Sequence, residues 1–340
     1  MANFRPIIIV GVPRSGTTLL RVLLGAHPLV LGLPETPWLL GSYGDGASLR
    51  ALLTSLAEDP MGVVKNVKGT DASDVFDAGR AFLEALFAPC LARRRKKFVV
   101  LKTPDDIKFL EFLVALFPDA YYVHICRDGR DVALSYVAKK GRWFPRHDGR
   151  GGVDFFTMLR RWHVWESKAR RILAGGVPGL RLRYEDLVTR PEAEVRRLCD
   201  FLGLPFEPGM LRFAEADLDY PSWEAGSSDV RATKSVDAAS VGRWRQARRT
   251  PAFVYALTRH DRYLTDLGFE PSRLAFTAPQ RLAAALYPWL APLASFIDYA
   301  AEEAKRLRAR LRLRSRILSL LERRGAPRAL RDETLSDTSP

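Results

Sequence analysis

Cysteine, methionine and histidine are all scarce in this 340-residue chain, with three, four and five residues respectively. Cys90, Cys126 and Cys199 are far apart, odd in number and match no metal or redox spacing, which argues against a disulfide framework or a zinc site. A reducing compartment fits, and a cytoplasmic location is expected. No run of about 20 uncharged apolar residues occurs, so no transmembrane helix is expected. The apolar run from Ile7 to Val12 is short and leads straight into a Gly-rich turn, so no signal peptide is expected either. Acidic residues are also in deficit, 39 against 53 Lys and Arg, for a formal net charge of +14. That excess predicts attraction to anions, but it is local. Residues 93–97 (RRRKK) carry +5, and residues 300–331 hold eleven Lys and Arg against three Glu, a net +8. The remaining 303 residues are left with +1, so a nucleic-acid binder spread over the whole chain is disfavoured.

What is present is a 47% hydrophobic chain whose short apolar runs alternate with helical patterns. Runs of strand length stand at 6–12, 97–102, 120–127 and 179–184. Helical periodicity marks 17–27, 77–94, 105–117, 129–140, 154–174 and 251–266. Continuous apolar strands suit a buried parallel sheet, and the alternation predicts a three-layer α/β fold. Trp162 and Trp165 read as packing residues of their helix. Residues 141–153 read as a loop over a site and 215–240 as an irregular loop. The domain reading is a catalytic domain over 1–272, an apolar then basic helical extension over 273–330, and a disordered tail over 331–340.

The first apolar strand runs into Gly11-Val12-Pro13-Arg14-Ser15-Gly16-Thr17-Thr18 and then an apolar helix. This order places backbone N–H groups and a positive helix end around an anion, with glycines permitting the tight turn. The spacing matches a nucleotide-triphosphatase loop except that Thr17 stands where that loop has lysine, and the cation is Arg14 instead. The arrangement resembles the 5′-phosphosulfate loop of sulfotransferases that use 3′-phosphoadenosine 5′-phosphosulfate (PAPS). A second stretch strengthens the resemblance: a strand ending in Arg127-Asp128-Gly129-Arg130-Asp131, followed on a helix by Ser135, is similar to that family's 3′-phosphate motif. Arg183-Tyr184-Glu185-Asp186-Leu187 and Val241-Gly242-Arg243-Trp244-Arg245 resemble its later motifs. Together the matches span about residues 6–270.

The resemblance implies a P-loop-like α/β fold with a central parallel sheet, and a PAPS co-substrate with 3′-phosphoadenosine 5′-phosphate (PAP) as product. No metal is implied. It places Arg14, Ser15, Gly16, Thr17 and Thr18 at the 5′-phosphosulfate, Arg127 and Ser135 at the 3′-phosphate, Tyr184 near the adenosine and Arg243 at the phosphates. Lys102-Thr103-Pro104 stands where phenol and steroid sulfotransferases carry a catalytic histidine, so that mechanism is excluded as it stands. The N-terminal stretch is closest to tyrosylprotein sulfotransferases, through Val-Pro-Arg-Ser-Gly-Thr-Thr-Leu, Arg21 and Ala26-His27-Pro28. In that branch a glutamate before a threonine is the general base, and Glu35-Thr36 holds the matching spacing. Leu33-Pro34 departs from that branch, and a cap or surface carboxylate is Glu35's alternative role. Arg14 and Lys102 are implied to stabilise the transferring group, with Ser228 assisting. Lys234 aligns with a further basic position. His27, His124 and His163 read as packing residues, and His147 stands second to Glu35 as base.

The acceptor hydroxyl stays open between tyrosine, sugar, lipid and small alcohol or phenol, and the oligomeric state is open. Two other readings stand beside this one: a P-loop nucleotide-dependent phosphotransferase, and a non-catalytic nucleotide-binding membrane adaptor. No nucleic-acid partner is expected. In the extension, residues 281–299 are apolar and aromatic, with Pro288 and Pro292 expected to interrupt any helix. Residues 306–316 alternate basic with mostly small or apolar residues. A helix packed on the catalytic domain is the first reading of this extension, and peripheral contact with an anionic membrane through 281–324 the second.

Overall fold

The computed structural model describes residues 5–41, 48–58, 72–138, 154–215, 236 and 238–289. Its centre is a five-stranded sheet in the order β2-β3-β1-β4-β5, parallel throughout. The strands are β1 (Ile7–Val10), β2 (Val30–Gly32), β3 (Phe98–Leu101), β4 (Tyr121–Cys126) and β5 (Gly179–Arg183). β1 (IIIV) and β3 (FVVL) are buried along their whole length because both sheet faces are covered, which is why they read as unbroken apolar runs. Ile7 and Ile9 face a layer made by α1 (Thr17–Gly25), α8 (Tyr184–Thr189) and α9 (Pro191–Leu202). Ile8 and Val10 face the other layer, which includes α4 (Ala72–Arg93), α5 (Leu110–Leu116), α6 (Gly129–Ala138), α7 (Phe155–Leu173) and α10 (Pro251–Arg259). The three layers are those the sequence pattern requires. Short helices α2 (Pro37–Leu40) and α11 (Arg262–Thr265), and the helix α3 (Leu49–Glu58) paired with α4, complete this part.

Two expected helices are divided, and one strand, β2, was not expected. β2 is only three residues long, below what a hydrophobic run can signal. Its Gly32 permits close approach to α1, since a Cβ there would lie 3.1 Å from the Cα of Gly25. The expected helix at 105–117 divides into a 3₁₀ segment, Pro104–Phe109, and α5, because Phe109 leaves helical geometry at φ −114°, ψ 26°. The expected helix at 251–266 breaks at His260.

The chain after residue 272 packs on the domain as far as it is described. Helix α12 (278–289) passes through Pro288, which does not interrupt it within the described residues. Packing holds this turn helical: the Tyr287 hydroxyl donates to Asp154, the residue that caps α7, and its ring meets Phe156 and Tyr255. Burial and Asp154 both push the Tyr287 phenol above its ordinary range. Ser228, Lys234, His147, the 141–153 loop, Pro292 and everything from 290 onward lie outside the described residues. No helix among the described residues is long and apolar enough to cross a membrane.

Candidate active site

Each strand of the parallel sheet delivers a candidate residue just beyond its carboxyl end: Arg14 after β1, Glu35 after β2, Lys102 after β3, Arg127 after β4 and Tyr184 after β5. The strand order reverses at β1 and β3, and the crevice beyond such a reversal is where open α/β sheets bind ligands. Neighbouring strands stand about 4.8 Å apart, so the ends of β2 and β4 are separated by about 14 Å across the site.

The β1 loop has features that suit an anion. Gly16 sits at φ 96° and Arg14 at φ 78°, so two left-handed residues bend the loop back onto α1. The positive end of α1 has no acidic residue in its first turn to compete for it. Gly16 is required for space as well as for φ: a Cβ there would lie 2.5 Å from Cδ2 of Tyr184. The Ser15 hydroxyl is buried and, among the described residues, has no hydrogen-bond partner. Arg14 turns its guanidinium to α6, where Nε donates to Ser135 Oγ at 3.2 Å. The loop cation and the helix serine proposed for two different phosphates are thus direct neighbours.

Arg127 closes the other side. Its guanidinium donates to the Arg14 carbonyl at 3.0 Å and the Ser240 carbonyl at 2.6 Å, and lies 4.4 Å from the centre of the Tyr184 ring. The Tyr184 hydroxyl shares a 2.6 Å hydrogen bond with Ser240 Oγ. Arg127 Nε is buried without a partner among the described residues. The buried Ser15 hydroxyl and Arg127 N–H are orphans that phosphate oxygens would satisfy, so these residues fit a phosphorylated nucleotide.

Taken by itself, Arg127-Asp128-Gly129-Arg130-Asp131 would be a surface turn, yet all five residues are buried, and each has a distinct task. Asp128 grips Arg130 with both carboxylate oxygens, at 2.9 and 2.6 Å, and Arg130 lies 3.8 Å over the Trp244 ring. Glu185 accepts from the Asp128 N–H at 2.9 Å. Gly129 admits Trp162, whose ring would lie 2.3 Å from any Cβ at that position. Asp131 accepts from the N–H groups of Gly242 at 2.7 Å and Trp244 at 2.9 Å, pinning the 240–246 turn to α6. Burial, opposed by these hydrogen bonds, pushes the Asp131 carboxyl above the usual aspartate range; burial also raises Glu185. Sequence reasoning missed Ser240 and Asp131. Asp131 carried a signal, as a carboxylate close to an arginine expected at a phosphate, whereas Ser240 carried none. Arg243, by contrast, points into solvent on this turn and makes no hydrogen bond among the described residues.

The far end of the crevice holds Glu35 and Lys102, whose Oε1 and Nζ are 2.5 Å apart. Lys102 is 1% exposed and Glu35 26%, so a buried cation is matched to a carboxylate that still reaches solvent. The Thr103 hydroxyl accepts from the Thr36 N–H at 3.1 Å, tying the residues next to this pair together as well. His27 is occupied by Pro205 and Leu29, His124 by the buried Glu166 at 2.7 Å, and His163 by Asp266 at 3.2 Å. Among the described residues no group of three His, Cys, Asp or Glu stands together as a metal site.

This is an α/β domain with a glycine-containing loop at the sheet's reversal point and cations, Arg14, Lys102 and Arg127, at three strand ends around it. The sulfotransferase family profile matches residues 6–208, and the chain belongs to that family. It is 31% identical over 253 residues to a putative protein-tyrosine sulfotransferase of Caenorhabditis briggsae, covering 72% of this chain and 82% of that one. An uncharacterized Aquifex aeolicus protein is 26% identical over 77% of this chain, which spans only 31% of its length. The fold resembles the sulfotransferase domain from the curacin biosynthetic pathway, with a TM-score of 0.54 and 22% identity over 79% of this chain and 99% of that domain.

Proposed function

We propose that this chain transfers a sulfuryl group from PAPS to an acceptor hydroxyl, with Glu35 as the general base. The observation that carries this is the Glu35–Lys102 pair at the carboxyl ends of β2 and β3, beside the anion loop. PAPS supplies the sulfuryl group and leaves as PAP. Ser15, Gly16, Thr17 and Thr18 would hold the 5′ end through backbone N–H groups and hydroxyls. Arg127 and Ser135 would hold the 3′-phosphate, while Tyr184 lines the nucleoside side.

Arg14 and Lys102 place fixed positive charge where negative charge develops during transfer, a stabilisation that costs no reorganisation in a buried site. Lys102 also orients the Glu35 carboxylate, whose partial exposure lets an incoming hydroxyl reach it. Glu35 takes the hydroxyl proton as the oxygen attacks. The protein-tyrosine sulfotransferase relative supports a phenolic hydroxyl as acceptor. The full chain should bind PAP more tightly than ATP in calorimetry and label a tyrosine-containing peptide from PAPS carrying radioactive sulfate. ATP binding equal to PAP binding would move the protein to the phosphotransferases. PAP binding without transfer to any acceptor in a cell extract would make it a silent nucleotide binder.

A further inference from the structure

The outer face of α12 exposes large apolar side chains, as α3 and α4 also do at Leu52, Leu56, Phe82 and Leu86, but of these helices only α12 leads in the chain into residues 300–331, with their net +8. Leu282, Leu286 and Trp289 are 64%, 48% and 81% exposed. Their i, i+4, i+7 spacing sets them in one stripe, and the exposed Ala278, Pro279 and Ala285 lie along it without a charge among them. The opposite side holds buried Ala284, and Tyr287 bound to Asp154, edge-on to Phe156 and tilted against Tyr255. The helix is therefore fixed to the domain by its inner face, and its largest apolar side chains are turned outward, the reverse of an ordinary surface helix.

We propose that this stripe docks the protein on an anionic phospholipid membrane. Charge decides the occupant. The chain leaves Trp289 through residues 290–299, which carry a single charge, Asp298, and then enters residues 300–331 with their net +8. An apolar stripe with a tryptophan at its end, followed in the chain by concentrated Lys and Arg, is the chemistry that anionic lipid surfaces attract. Pairing with a second copy through the same stripe would bring two +8 segments of a +14 protein together, which like-charge repulsion opposes. The proposal does not depend on the sulfotransfer reading and can stand or fall separately from it.

The test uses the full chain and two kinds of vesicle, pure phosphatidylcholine and phosphatidylcholine with about 30% phosphatidylglycerol. Flotation should show binding to the anionic vesicles only, weakened by added salt. The Leu282→Gln/Leu286→Gln/Trp289→Gln variant, changed only at exposed positions, should bind roughly tenfold more weakly while retaining wild-type PAP affinity. Lipids brominated on their acyl chains should quench wild-type fluorescence more than that of Trp289→Phe. Absence of binding to anionic vesicles, equal binding by the triple variant, or equal quenching of Trp289→Phe would each overturn the proposal. A dimer that the triple variant converts to monomer, without vesicle binding, would assign the stripe to a second copy instead.

Discussion

The two ends of the crevice are built differently. At the proposed nucleotide end, the β1 loop, β4, α6, β5 and the 240–246 turn are cross-braced through Arg14–Ser135, Arg127–Arg14, Arg127–Ser240, Tyr184–Ser240 and Asp131–Trp244. At the transfer end, two strand ends meet through the Lys102–Glu35 ion pair, with the Thr36–Thr103 hydrogen bond behind it. Redundant bracing suits a ligand that must be held in one pose. An ion pair with one partly exposed member suits a proton that must move. Substitutions should therefore separate the ends: at the transfer end one change should stop turnover and spare binding, while at the nucleotide end losses should be graded.

The largest effect is expected from Glu35→Gln, which keeps shape but not basicity. Turnover should fall by about 10² to 10⁴, with PAP affinity kept within a few-fold in calorimetry. Adding Lys102→Met should cost turnover further, through the lost positive charge, but by less than the two single losses combined, because part of what Lys102 does is orient Glu35. Wild-type rates in the single variant would remove Glu35 as base and return His147 to consideration.

Arg14 tests the nucleotide end where it meets the transferring group. Its φ of 78° costs a non-glycine residue about 1–2 kcal/mol. Arg14→Gly should therefore lower turnover by about 10² to 10³ through loss of the cation, without lowering the melting temperature. Arg14→Ala should lose similar activity while keeping the backbone cost. A marked drop in melting temperature for the glycine variant would show that Arg14 holds the loop together rather than serving the chemistry.

Most of the structure around the proposed nucleotide end was legible in the sequence because its parts are contiguous. A strand, a Gly-rich turn and a helix follow one another within residues 7–25, and Arg127 and Ser135 lie on one strand–helix unit. What the sequence hid was contact between segments. Ser240 acts through a backbone carbonyl and a hydroxyl offered to residues 56 and 113 positions away, with no residue type to mark it. The RDGRD stretch looked like a solvated turn, because only the folded arrangement supplies the Asp128–Arg130 pairing, the Trp244 ring over Arg130 and the Glu185 acceptor that accompany its burial. At the transfer end, Glu35 and Lys102 were each identifiable, yet their pairing across 67 positions depends on the β2–β3 register, and β2 itself is too short to be read.

A smaller loss should follow Tyr184→Phe, which removes one of several braces. Losing the hydroxyl bond to Ser240 should cost about 0.5–1.5 kcal/mol, or roughly a two- to tenfold weaker PAP affinity. Maximal turnover should change less than affinity does. An effect on turnover as large as that of Glu35→Gln would mean that the two ends are not separable.

Asp131 gives the smallest and most specific test of the bracing, through pH. Burial raises its folded-state value above that of the unfolded chain, so between the two values the folded protein binds more protons. Its contribution to stability is therefore greatest in acid and is lost as pH rises through that window, which begins at the ordinary aspartate value near pH 4. An asparagine side chain cannot titrate, so Asp131→Asn should flatten the fall in melting temperature as pH rises above about 4. Glu185, raised for the same reason, should keep part of that slope in the variant. Because an amide offers one oxygen where the carboxylate offers two, the variant should also release either the Gly242 or the Trp244 N–H. Faster amide exchange at one of these two residues, together with the flattened profile, would show that Asp131 pins the late turn in solution. An unchanged profile would place its titration elsewhere and leave the turn held by Trp244 and Arg130 alone.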